Sequence, residues 1–235
     1  MRLRELAQER PRFGYRRLHA LLVRGGETVN AKRIYRLYRA DNLAVRRRKR
    51  RKLRTPRLVQ LPVATAPDQR WAMDFVSDGL ACGRRLRTLN VVDVFTRECL
   101  AIEVDTSLPG ERVVRVLDQL IVARGKPAFI TVDNGPEFVS TALDRWAFAQ
   151  SVELHFIDPG KPVQNAYVES FNSKLRDECL AEAHWPTMPR ARAEIELWRI
   201  DYNTQRPHSS LDYRTPCEFA ADWRAVRQSS KEVRI

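Results

Sequence analysis

Apolar positions along this chain keep a helical period at the start, change to strand-like runs in the middle and return to a helical period towards the end. Residues 1 to 45 hold three short helical patterns, at about Leu3 to Gln8, Tyr15 to Leu22 and Ala31 to Tyr38. Gly25-Gly26 separates the second from the third, and Asn30 is placed to cap the third. In that helix Ile34, Leu37 and Tyr38 are expected to face inward, and Lys32, Arg33, Arg36 and Arg39 outward. From Pro67 the pattern predicts strands at Trp71 to Val76, Arg87 to Phe95 and Cys99 to Val104, joined closely enough for an antiparallel meander. A helix from Pro109 to Ala123 leads into a buried strand, Ala128 to Val132, which Gly135-Pro136 turns. Beyond it come a helix (Ala142 to Gln150), a strand (Val152 to Ile157), a loop rich in Gly and Pro (Asp158 to Asn165) and helices at about Gln164 to Glu182 and Pro189 to Tyr202. Residues after about Val226 are expected to fray. The order predicts an α/β body with a five-stranded mixed sheet flanked by helices, a small all-α domain before it and a helical extension after it.

Composition sharpens the division. Of 235 residues 43% are apolar, enough for one sizeable packed domain with smaller attachments. The net charge of +13 is concentrated at one end: residues 1 to 60 carry 20 Lys and Arg against 4 Asp and Glu, or +16, and the other 175 carry 22 against 25, or −3. Arg46, Arg47, Arg48, Lys49, Arg50, Arg51 and Lys52 are consecutive, a run that cannot pack and reads as a linker held by phosphates. A basic arm on a near-neutral body points to a polyanion, nucleic acid first. The boundaries expected are 1–45 for a helix-turn-helix-like DNA-binding domain, 46–66 for the basic linker, 67–183 for the α/β core and 184–235 for the extension. Cys82, Cys99, Cys179 and Cys217 lack the spacing of a zinc site, and the four histidines form no cluster, so reduced thiols are expected. The charged amino terminus has no signal-peptide core, and no apolar run approaches a membrane span, so the expected place is the cytoplasm, without a membrane partner.

Three carboxylates stand out. Asp133 lies at the carboxyl end of a buried strand, and Glu169 lies 35 intervening residues later on a helix whose Val168, Phe171, Leu175 and Cys179 form one face and Asn165, Glu169, Asn172 and Arg176 another. Asp74 sits inside the first strand. Asp93, in the next strand, is the carboxylate most easily mistaken for a member of the set.

Asp74, Asp133 and Glu169 resemble the DDE triad of transposases and retroviral integrases. The words DNGPEF, PGKPVQNAYVESFN, RDECL and YNTQRPHSSL resemble, over nearly the whole chain, the second-frame product of the insertion-sequence-three family of bacterial transposases. FGYRRLHALL and NAKRIYRLYR resemble the helical domain that precedes the core in that family. The resemblance implies a ribonuclease-H-like core, which agrees with the order of elements, and a transposase subunit that cuts DNA and transfers strands at insertion-element ends. It implies Asp74, Asp133 and Glu169 as catalytic residues and as ligands of Mg2+ or Mn2+. Oxygen-only ligands suit these ions, and two of them would serve an in-line displacement. Arg176 matches the family's basic residue and is expected at DNA, as are Asn165, Lys32, Arg33, Arg36 and the run Arg46 to Lys52. Asn134 is a weaker candidate, and Glu137 is expected to support the site. For YNTQRPHSSL, packing is expected of Tyr202, Pro207 and Leu211, with Arg206 or His208 as candidates for a phosphate. The partners implied are double-stranded DNA of element ends and target, an upstream-frame domain and further copies of the chain on DNA. Two other readings are a metal-dependent nuclease of the same fold and an inactive DNA-binding regulatory fragment. An intact triad argues against the second.

Overall fold

The computed structural model describes residues 2–45, 63–158 and 165–232. The basic run from Arg46 to Lys52 and most of the loop before Glu169 lie outside them. The chain divides into two compact units, one of residues 1–57 with 206–215 and one of residues 58–205 with 216–235.

The first unit holds α1 (Arg2–Glu9), α2 (Tyr15–Arg24) and α3 (Ala31–Ala40). Leu3, Leu6, Phe13, Leu18, Leu22, Ile34 and Tyr38 close its core. The Asn30 side chain accepts the Lys32 amide at 2.8 Å and so starts α3 as expected. Leu37 is a correction: it is 43% exposed. Only Ile34 and Tyr38, one turn apart, are buried on this helix, because a core this small takes a single stripe. Lys32, Arg33, Arg36 and Arg39 are all exposed. Residues 206–215, which take in the latter half of the YNTQRPHSSL word, belong to this unit. Arg206 is buried there, its guanidinium 5.6 Å from the Phe13 ring, and His208 and Leu211 are buried too. Arg206 and His208 are therefore not surface groups waiting for a phosphate.

The second unit is built on a five-stranded sheet in the order β3-β2-β1-β4-β5. Its strands are β1 (Arg70–Gly79), β2 (Arg85–Asp93), β3 (Cys99–Asp105), β4 (Phe129–Val132) and β5 (Glu153–Phe156). The first three form an antiparallel meander, and β4 runs parallel to β1 and β5. Helices α4 (Gly110–Arg124) and α5 (Thr141–Gln150) make the crossovers, and α6 (Ala166–Glu178), α7 (Met188–Thr204) and α8 (Pro216–Glu232) come after them. The sheet is the mixed one that the pattern predicts.

Strand alternation sorts the core into two layers. Trp71, Met73, Leu89, Val91, Ile130 and Val132 pack on one side with Val113, Leu117 and Leu120 of α4 and Leu143 and Trp146 of α5. Ala72, Val76, Leu86 and Val92 pack on the other with Val168, Phe171 and Leu175 of α6 and Ile195 and Tyr202 of α7. The even-numbered positions of β1 thus face α6, and Asp74 is one of them.

Three boundaries differ from expectation. β2 stops at Asp93 because that carboxylate accepts the Phe95 and Thr96 amides and turns the chain. α6 spans Ala166–Glu178, and Leu180–Glu182 forms a separate 3-10 turn. Helix continues past Val226: α8 runs to Glu232, anchored nearer its start where Phe219 and Trp223 meet Phe95 with ring centroids 5.5 and 6.0 Å away. The four cysteines are free thiols. No helix among the described residues is long and apolar enough to cross a membrane.

Candidate active site

The register of the sheet brings two of the three carboxylates together. Ala72 pairs with Thr131 in the parallel β1–β4 ladder, so continuing two residues sets Asp74 beside Asp133, with the same parity and therefore on the α6 side. Neighbouring strands lie about 5 Å apart, which is the scale of the approach. β4 ends at Val132, leaving Asp133 at its carboxyl end as the sequence suggests. Its Oδ1 accepts the Gly135 amide at 2.9 Å, and a Cβ added to Gly135 would fall 2.9 Å from that same oxygen. Gly135 is thus required by close approach.

Glu169 arrives on α6, exposed, between two asparagines that hold the helix to β1. Asn165 donates from Nδ2 to the Met73 carbonyl at 3.1 Å, and Asn172 donates from Nδ2 to Asp74 Oδ2 at 2.7 Å. The three are spaced four and three residues apart and lie on one face of the helix. Asp74 Oδ1 accepts the Phe75 amide at 2.7 Å.

The Asp74 carboxyl feels the charges of both other carboxylates. Burial raises the Asp74 carboxyl from its ordinary value of 3.8 to about 6. The charges of Asp133 and Glu169 contribute to this rise, and the hydrogen bonds from Phe75 and Asn172 oppose it. Even so, among the described residues no three His, Cys, Asp or Glu side chains stand close enough together to hold a metal ion. Three carboxylates about 5 Å apart would repel by about 3 kcal/mol per pair at an effective dielectric near 20, which favours a spread arrangement until a cation neutralises them.

The other candidates fall into distinct environments. Arg176 is exposed on α6, two turns beyond Glu169. Asn165 is buried and committed to Met73, so its side chain is not presented to a DNA strand, contrary to expectation. Asn134 stitches the loop after β4 to the end of β5 through the Ile157 carbonyl at 2.8 Å. Glu137 forms an ion pair with Arg87, whose guanidinium lies 4.7 Å from the Phe75 ring, and Phe138 stacks on Phe75 at 4.8 Å. Burial would raise the Glu137 carboxyl, but the bond from Arg87 holds it below its usual range. The DNGPEF word therefore fastens the Asp133 loop to the strand that carries Asp74. Asp93 is fully buried and accepts from the Asp68, Phe95 and Thr96 amides and the Thr96 hydroxyl. It pairs across from Trp71, three positions from the Asp74–Asn90 pair, and builds a turn. Two residues that sequence reasoning does not single out matter here, Asn90 and Asn172. Asn172 falls on the polar stripe of its helix, but its contact with a strand 98 residues away leaves no local signal.

Comparison with known proteins identifies the family and the fold. The chain matches an integrase core domain over residues 64–162 and a further integrase core domain model over residues 150–216, and an HTH-like domain over residues 1–51. It is 55% identical over 225 residues to the insertion element IS407 uncharacterized 31.7 kDa protein of Burkholderia multivorans, covering 96% of this chain and 81% of that one. It is 28% identical to the transposase for insertion sequence element IS904 of Lactococcus lactis, covering 90% and 88%. Among solved structures, the HTLV-2 integrase catalytic core domain in complex with magnesium matches with a TM-score of 0.54 at 17% identity, over 67% of this chain and 99% of that one. A chain of the simian T-cell lymphotropic virus intasome in complex with a PP2A regulatory subunit matches with a TM-score of 0.61 at 15% identity, over 93% and 74%. These structures share the ribonuclease-H-like fold. The sheet order, the family models and the sequence relatives lead to one family: the chain belongs to the DDE transposases of the insertion-sequence-three family, enzymes of the polynucleotidyl-transferase type.

Proposed function

We propose that Asp74, Asp133 and Glu169 are the catalytic carboxylates with which this transposase cuts and joins DNA at insertion-element ends. The observation that carries this is the parallel β1–β4 register, with Ala72 opposite Thr131, which continued two residues would bring Asp74 opposite Asp133; the raised Asp74 carboxyl, lifted by burial and by the charges of the other two, supports it. An all-oxygen donor set under mutual repulsion fits Mg2+ or Mn2+, held by the three carboxylates, with two ions as the reading that suits an in-line displacement. When bound, such cations activate the attacking oxygen and stabilise the leaving one.

The protein's own groups do the placing. The Asp133 loop is kept against β1 by the Phe138–Phe75 stack and against β2 by the Glu137–Arg87 pair. Asn165 and Asn172 keep the Glu169 helix on the same strand. Arg176 takes a backbone phosphate near the scissile bond, while Lys32, Arg33, Arg36 and the run Arg46 to Lys52 give affinity along the duplex without reading bases. A water or a free 3′-hydroxyl attacks phosphorus, one phosphorus–oxygen bond forms as another breaks, and the departing 3′-oxygen leaves with a proton. The substrates proposed are the element's own terminal repeats and a target duplex. An upstream-frame domain and further copies of the chain complete the assembly. The proposed division is 1–45 for DNA binding, 46–66 for the linker, 67–183 for catalysis and 184–235 for the extension.

The test is strand transfer. A labelled element end with a free 3′-hydroxyl, supplied with the upstream-frame domain and Mg2+ or Mn2+, should appear joined to a second duplex. Hydrolysis without joined product would identify a nuclease instead, and no reaction on any DNA would refute the reading.

A further inference from the structure

From the hydrogen bonds on the α6 side of the sheet we infer that Asn172, locked by Asn90, is a positioning residue that sets the direction of the Asp74 carboxylate; this rests on the reading of Asp74 as a metal ligand. Asn172 Nδ2 donates to Asp74 Oδ2 at 2.7 Å, and Asn90 Nδ2 donates to Asn172 Oδ1 at 2.7 Å. Both asparagines are almost fully buried. An amide has a donor end and an acceptor end, and only one orientation suits this chain. Were the Asn172 amide reversed, its NH2 would face the NH2 of Asn90 and its oxygen would face a carboxylate. The acceptor-only Asp74 carboxylate therefore selects the amide end that meets it, and the bond from Asn90 holds the other end in place.

The two oxygens of Asp74 are thereby assigned. Oδ1 takes the Phe75 amide and Oδ2 takes Asn172. Each oxygen keeps a remaining lone-pair direction, and with both bonds made the carboxyl plane cannot rotate freely. The donor also belongs to the helix that carries Glu169, three residues earlier, so one bond sets the carboxylate and its distance from Glu169 together. The three polar groups come from β1, β2 and α6, and Asn90 is the direct cross-strand partner of Asp74. An apolar pair at 90 and 172 would extend the adjoining layer of Ala72, Val76 and Val168, but it would take from Asp74 Oδ2 its donor. Burying two amides there has its reason in the carboxylate.

The experiment uses the full chain and Mn2+ as the probe, with Mn2+ binding followed by electron paramagnetic resonance and strand transfer measured in parallel. Asn172→Leu is close in volume and lacks both polar ends. It should lower Mn2+ affinity by about 10- to 100-fold, the range that loss of a ligand-orienting partner produces. Transfer at limiting Mn2+ should fall with it and recover in part at high Mn2+, which a merely structural role would not produce. Asn90→Ala touches neither carboxylate and serves if Asn172→Leu does not fold; it removes the donor that holds Asn172 Oδ1, loosens the side chain and should weaken Mn2+ severalfold. Combining the two should cost no more than Asn172→Leu alone, because both act through one bond. Parent-like Mn2+ affinity in either folded variant overturns the inference, as does lost activity with unchanged affinity. If the parent chain itself neither binds Mn2+ nor transfers strands, the reading of the triad fails instead.

Discussion

Replacing Asp74 by Asn should make the metal-free protein more stable at neutral pH and less stable in acid. The native carboxyl titrates near 6 against an ordinary 3.8, so the folded state holds this proton more tightly than the unfolded chain. Such a group contributes stability that is fully present below about pH 4 and is lost as pH rises through 6. A difference of about 2 in pKa is worth about 3 kcal/mol, an upper value because the side chain is only partly buried. Asn removes that charge penalty, but it has one acceptor where Asp74 uses two. Its oxygen can take the Phe75 amide or the Asn172 amide, not both. The lost bond costs about 1 to 2 kcal/mol. The net expectation is a gain of about 1 to 2 kcal/mol at pH 7 to 8 and a loss of about 1 kcal/mol near pH 4, with the two curves crossing between. Denaturant unfolding of both proteins in chelator, from pH 4 to 8, measures the difference and cancels other carboxylates. A difference that does not change with pH would show that burial and charge do not raise this carboxyl, and an Asp74→Asn protein that still cuts or joins DNA would remove Asp74 from the site.

The same geometry sets further outcomes. Asp133→Asn and Glu169→Gln should each abolish cutting and joining while leaving DNA affinity nearly intact, checked by strand-transfer yield beside a binding titration. Asp93→Asn should keep measurable chemistry but lose about 1 to 3 kcal/mol of stability, because four donors converge on that carboxylate; a folded but dead variant would move the metal site to Asp93. Gly135→Ala should displace the Asp133 carboxylate and reduce turnover about 10-fold or more without unfolding the protein, read from kinetics and a melting curve. Neutralising the exposed Lys32, Arg33 and Arg36 together should weaken duplex binding and reduce its salt slope by up to about 3, and an unchanged slope would show that α3 does not touch phosphate.

The sequence by itself determined the succession of elements and the identity of the candidate carboxylates. Local period is a short-range property, so Trp71 to Val76, Phe129 to Val132 and the face of α6 can be read from residues a few positions apart. The 35-residue interval from Asp133 to Glu169 and the word DNGPEF carry the chemistry in the same way. The charge of the first 60 residues points to DNA without any coordinate. The tertiary structure alone decided what depends on distant pairing. Whether an asparagine on a polar stripe meets solvent or a carboxylate depends on the strand it docks against, which is why Asn165 bonds the Met73 carbonyl and Asn172 the Asp74 carboxylate. Leu37 carries an apolar signal, but a small core has no place for it. Residues 206–215, far from α1 in sequence, belong to its unit, where the Arg206 guanidinium meets the Phe13 ring, and such a contact is settled by the assembled surface rather than by neighbours in the chain.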